Sequence, residues 1–135
     1  MKKKHQFSIE SELVLIQPAV EDSVTFICSV LDDLDIFGFR LVLSEALNNA
    51  VIHGSKSPTS LVNVSIEVDH QENLNITVKD NGMGFNWEQT IARTDNCGKL
   101  IEGGRGLKTF ALYGYEADYR NQGSTIHLFK KGVIS

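Results

Sequence analysis

Residues 39–54 read FRLVLSEALNNAVIHG, and this stretch decides how the rest of the chain is read. Projected onto a helix at about 100° per residue, Glu45, Asn48 and Asn49 fall within one wedge of about 100°. Most of the remaining circumference is apolar: Phe39, Leu41, Val42, Leu43, Ala46, Leu47, Ala50 and Val51. A helix that is apolar nearly all round is normally buried. A carboxylate and two amides carried inside then need partners, because an unpaired buried polar group costs about 1–3 kcal/mol. Those partners are either a neighbouring loop and its backbone or a ligand, and this helix alone does not choose between them. His53, four residues past Asn49, reads as a packed, hydrogen-bonded histidine at the wedge's edge. Gly54 stands where a helix C-cap uses glycine.

Working outward, AVEDSVTFICSVLDDL carries Val20, Val24, Ile27, Leu31 and Leu34 at helical spacing. Pro18, just before it, suits a first helical turn. The earlier stretch HQFSIESEL alternates apolar and polar residues and reads as a short strand. Downstream, SKSPTS is a loop by composition. Val62, Val64, Ile66 and Val68 alternate with polar residues, as do Leu74, Ile76 and Val78. With DHQEN between them they predict an antiparallel hairpin with one buried face. From Asn86 to Gly104 the chain is polar and weakly patterned, with one short helix near Trp87 to Ile91. GLKTFALYG reads as a short helix opened by glycine, and YEADYR and STIHLFKK as a last hairpin around NQG. The order β, α, α, β, β, loop, α, β, β predicts an α+β two-layer sandwich. Its sheet is expected to be mixed, mostly antiparallel, with the helices on one face.

The whole chain, residues 1–135, suits one domain, and its 41% hydrophobic content can build a core. Thirteen basic residues against seventeen acidic ones leave a net charge of −4, which argues against a general nucleic-acid binder. The Met-Lys-Lys-Lys start is followed by no apolar leader segment. No run approaches the roughly 18 apolar residues of a membrane span, so a cytoplasmic protein is expected. Cys28 and Cys97 match no metal-ligand spacing and read as free thiols.

Two further stretches join the helix. DNGMG, Asp80 to Gly84, follows a strand directly, and its glycines let the backbone approach a flat ligand or form a turn. EGGRGLKT, Glu102 to Thr109, opens a helix with glycines whose free amides can face an anion or simply start the helix. It sits outside the βαβ context of a dinucleotide fold, and a GxxxxGK[ST] loop is absent.

Glu-x-x-x-Asn on a helix, Asp-x-Gly-x-Gly after a strand and Gly-x-Gly opening a later helix resemble, in this order, the three nucleotide-binding boxes of the GHKL (histidine kinase-like) ATPase superfamily. The resemblance covers nearly the whole chain. The run SEALNNAVIHG looks most like the bacterial anti-sigma factor serine/threonine kinases. It implies a Bergerat-type ATP-binding fold, with ATP and Mg²⁺ bound. Glu45 would be the general base, and Asn49, one turn on, would coordinate Mg²⁺. Asp80 would accept a hydrogen bond from the adenine amino group, with Gly82 and Gly84 passing close to the base and Thr125 joining the Asp80 network. Gly104 and Gly106 would offer amides to the phosphates, and Arg105 would neutralise their charge. Residues 93–103 would form a lid, in which Thr94 and Asp95 could touch phosphate or metal. Phe85 and Trp87 read as packing residues, and Lys108 as a solvated charge.

The function so implied is an anti-sigma regulatory kinase that phosphorylates a small antagonist, the anti-anti-sigma protein. A sigma factor is a further partner, and a homodimer is the assembly such kinases adopt. The alternative is a nucleotide-dependent binding module that sequesters its partner without phosphate transfer. The presence of Glu45 favours the kinase, because a pure binder needs no base.

Overall fold

The computed structural model describes residues 2–54, 60–80, 108–120 and 125–132. Five strands form one sheet: β1 (Lys3–Glu10), β2 (Leu61–Val68), β3 (Leu74–Lys79), β4 (Glu116–Arg120) and β5 (Thr125–Lys130), in the order β1-β2-β3-β5-β4. Every pairing among them is antiparallel, so the mixed sheet expected from the sequence is antiparallel throughout the described strands. Strand direction depends on where the β3–β5 connection returns, and composition does not report that.

The register builds the core in rows. Phe7, Val64, Val78, Ile126 and Tyr119 line up across all five strands, and Ile66, Ile76 and Leu128 form a neighbouring row. Because side chains alternate faces along a strand, these rows share one side of the sheet. Two helices cover that side, α1 (Ile16–Val30) and α2 (Ile36–Asn49). Residues 108–112 are also helical, and Phe110 is fully buried in the same core. The opposite face is polar, with Lys4 bridging to Glu67 at 3.5 Å and His127 hydrogen-bonded to Asn75 at 2.9 Å. The result is a two-layer α+β sandwich.

The helix boundaries differ from the periodicity. Apolar spacing predicts that α1 continues to Leu34, yet the helix ends at Val30 and Leu31 is extended. Leu31 is still buried, so its apolar character serves the core from a non-helical backbone. The second helix begins at Ile36, ahead of the quoted stretch, because the Asp35 side chain caps it by accepting from the Gly38 amide at 3.1 Å. Gly38 lies inside that first turn because Tyr113 packs over it: a Cβ there would come within 2.6 Å of the Tyr113 ring. Past Asn49 the helix widens into a π-helical turn, Ala50–Gly54, which runs as far as the glycine.

A further correction concerns Leu13–Val30, a 3₁₀ turn (Leu13–Leu15) running into α1. By length and composition this segment could cross a membrane, contrary to the sequence reading. Ile16, Ala19, Val20, Val24 and Ile27 are buried in the core, while Gln17 and Asp22 are exposed. An apolar stripe with a polar back is the signature of a core helix.

The seat of α2 is testable. Leu47 has no exposed surface, so Leu47→Ala should lose about 3–5 kcal/mol of unfolding free energy in urea titration. A loss under about 1 kcal/mol would show that the helix does not pack as described.

Candidate functional site

Helix α2 presents its polar wedge in graded depth. Glu45 and Asn48 are half-buried, and Asn49 is 5% exposed. Their neighbours Val42, Leu43, Ala46 and Leu47 are almost completely buried. The two amides are employed differently. Asn48 donates from Nδ2 to the Ser44 carbonyl at 2.9 Å, a bond within its own helix. The Nδ2 of Asn49 is buried with no hydrogen-bond partner among the described residues. The alternation of the sequence does not separate these neighbours; their tertiary surroundings do.

The sheet supplies the other wall. Asp80 directly follows Lys79, whose partner across the β3–β5 ladder is Thr125. Asp80 and Thr125 are therefore neighbours at one end of the sheet, and both are buried, at 5% and 7% exposure. Beside Thr125, Ile126 pairs with Tyr119 on β4. Tyr119 lies in the inward row, beneath α2, and its hydroxyl feels both Asn49 and Glu45. Burial pushes that hydroxyl up to about 12, the Asn49 side chain opposes the push, and the Glu45 carboxylate adds to it.

Tyr119 was not among the residues singled out from the sequence. Within YEADYR it reads only as a strand position, and nothing local reveals which residues of other elements it meets. Of the residues that were singled out, Gly82, Gly84, Gly104, Arg105 and Gly106 lie outside the described residues. So do Cys97, Phe85, Trp87 with its short helix, and the lid segment 93–103 with Thr94 and Asp95. Lys108 is exposed at the start of the 108–112 helix.

The described residues suit a nucleotide carried with Mg²⁺. A buried amide lacking an acceptor among the described residues can donate to a phosphate oxygen, and its carbonyl oxygen is a hard ligand of the kind Mg²⁺ takes. No group of three or more His, Cys, Asp or Glu able to hold a metal occurs among the described residues. A metal here would thus depend on one or two protein ligands plus substrate phosphates, which is how Mg²⁺ is usually held.

Comparison with known proteins follows the same line. Residues 16–130 match the family model of the histidine kinase-like ATPase domain. A search of curated proteins finds no match. Among solved structures, the histidine kinase domain of the Erythrobacter litoralis EL346 blue-light activated histidine kinase is similar at 22% identity and a TM-score of 0.52. That match covers 71% of this chain and 44% of the other. A second structure of that blue-light activated kinase matches at 17% identity and a TM-score of 0.54, covering 85% of this chain and 40% of the other. The chain thus spans less than half the length of either neighbour, and the likeness is one of fold.

The buried phenols give the core a pH signature. Burial also raises Tyr115, with the Asp35 carboxylate adding to the effect. Both groups hold their protons more tightly folded than unfolded. Their contribution to stability is intact below the ordinary value of 10 and is lost as pH rises through the folded value, about 12 for Tyr119. The Tyr115→Phe/Tyr119→Phe double variant should therefore lose melting temperature less steeply than wild type over that interval. Equal slopes would show that neither phenol is shielded.

Proposed function

Because the chain belongs to the family of histidine kinase-like ATPase domains, we propose that it is an ATP-binding regulatory factor that phosphorylates a small antagonist protein on serine or threonine. The observation that supports this reading is the pair on α2: a half-buried carboxylate, Glu45, and one turn on a buried amide, Asn49, whose nitrogen meets no acceptor among the described residues. Such a pair suits two tasks at once. The carboxylate polarises the attacking hydroxyl, and the amide faces the phosphates and their metal ion.

On this reading Asp80 selects adenine. A buried carboxylate accepts a hydrogen bond from an exocyclic amino group, and it repels the carbonyl that guanine carries at that place. Thr125, one position along the neighbouring strand, holds the Asp80 end of the pocket. Gly82 and Gly84 pass close to the base, Gly104 and Gly106 offer backbone amides to the phosphates, and Arg105 neutralises their charge. When bound, Mg²⁺ supplies charge neutralisation for the γ-phosphate. The protein's own part is to orient the acceptor hydroxyl at Glu45 and receive its proton. The partners are the anti-anti-sigma antagonist and the sigma factor whose release it controls, with the kinase acting as a homodimer.

Calorimetric titration with ATP and ADP, in Mg²⁺ and again in EDTA, tests the pocket. Binding that prefers adenine nucleotides and tightens with Mg²⁺ is expected, and no binding at millimolar nucleotide would reject the reading. Asp80→Asn should weaken ATP by about 1–3 kcal/mol, the value of a buried hydrogen bond to a charged group. Unchanged affinity would remove Asp80 from the site. Glu45→Gln should retain ATP binding and lose about 10²–10⁴-fold in transfer of γ-phosphate to the antagonist. Transfer at the wild-type rate would exclude Glu45 as the base.

A further inference from the structure

We propose that a cleft at the far end of the sheet from Asp80 binds the zwitterion of a free branched-chain α-amino acid. It lies where β3 begins and β5 ends. Leu74 pairs there with Lys130, whereas Lys79 and Thr125 close the same ladder beside Asp80. The cleft is thus separate from the pocket proposed for the nucleotide.

Its floor is apolar: Leu31 and Leu74 are buried behind it, and Leu34 is half-buried at its side. Its rim carries charges of both signs. Asp33 and Glu72 contribute carboxylates, and Lys130 and Lys131 contribute ammonium groups. None of the four takes part in an ion pair among the described residues.

Two of these groups are held in place. Lys130 donates from Nζ to the Tyr113 carbonyl at 2.9 Å and stands 5.3 Å over the Tyr115 ring, which leaves two of its three N–H donors free for a ligand. Glu72 has a left-handed backbone, with φ at 63°. A residue with a side chain keeps that conformation only where its surroundings enforce it. Here the Asp69 carboxylate accepts from the amides of Gln71 and Asn73 at 2.9 and 3.0 Å, and the Gly132 amide donates to Asn73 Oδ1 at 2.7 Å. Gly132 lies so close over the turn that a Cβ on it would come within 2.6 Å of the Glu72 carbonyl oxygen. The turn therefore fixes Glu72 at the rim.

The ligand class follows from charge balance and size. A simple anion would be drawn to the lysines and repelled by Asp33 and Glu72, and a simple cation would meet the reverse. A ligand with both charges on one carbon uses both sets of partners, and its apolar side chain takes the floor. The cleft holds about 60 Å³. At roughly 10–15 Å³ for each water-sized group, that is room for about four to six heavy atoms, which admits the side chains of valine, leucine and isoleucine.

Calorimetric titration of the full chain with leucine, N-acetyl-leucine and leucinamide tests this. Leucine is expected to bind, and the two derivatives, each lacking one charge, to bind about 10–100-fold more weakly. Glu72→Gln and Lys131→Gln each remove one rim charge with little change of shape, and each should weaken leucine about tenfold. No binding of leucine at millimolar concentration would overturn the proposal. So would either derivative binding as tightly as leucine, because the cleft would then suit one end of a peptide. Wild-type affinity for leucine in either variant would also overturn it, by placing the amino acid elsewhere.

Discussion

The seating of helix α2 on the sheet is the constraint from which the rest follows. Phe39, Val42, Leu43, Ala46 and Leu47 are sealed against the core, and each is at most 1% exposed. With so much of its circumference apolar, the helix has little freedom to rotate: turning it would expose several of these side chains, each worth about 1.5–3 kcal/mol of burial. The wedge bearing Glu45 and Asn49 is therefore aimed by hydrophobic packing, and the polar groups inherit a direction they do not set themselves. The anchor at the other end is equally local. The Asp35 cap and the packing of Tyr113 over Gly38 define where the helix begins.

Burial then changes what the aimed groups are. A carboxylate or amide on an exposed helix is screened by water, whereas the same groups beneath a helix layer feel one another and the phenol across the interface. The raised Tyr119 hydroxyl and the buried Asn49 nitrogen, which has no hydrogen-bond partner among the described residues, are signs of polar groups set into an apolar core. Buried polar groups with shifted proton affinities concentrate at functional sites. The π-helical turn that begins at Ala50, immediately after Asn49, fits the same pattern, since such turns recur where function interrupts a regular helix.

The one-sided architecture explains the helix that passes for a membrane span. In a two-layer sandwich each helix buries one stripe, and α1 must face both α2 and the sheet. Its apolar stripe is broad and its average polarity low. The Glu21–Arg40 pair, two hydrogen bonds at 3.0 Å each, ties its outer edge to α2. That pair is exposed, so it adds registration more than stability. Over Leu13–Val30 as a whole, composition alone does not distinguish this use from a lipid-facing one; packing does.

Much of this protein is written in the sequence because it rests on local periodicity. The alternation of Val62 to Val68 and Leu74 to Val78 specifies a hairpin with a single buried face, and a shift by one residue would turn every one of those side chains to water. The spacing of Glu45 and Asn49 places them on one helical face by geometry alone, and DNGMG after a strand and EGGRG before a helix carry the family resemblance. What remained for the tertiary structure was everything that depends on which elements meet. The antiparallel course of β5 beside β3, the extended backbone at buried Leu31, and the split of Asn48 and Asn49 between a helix carbonyl and the core all arise from contacts between distant segments. No periodicity encodes such contacts, because a residue's neighbours along the chain carry no record of the strand that will lie below it.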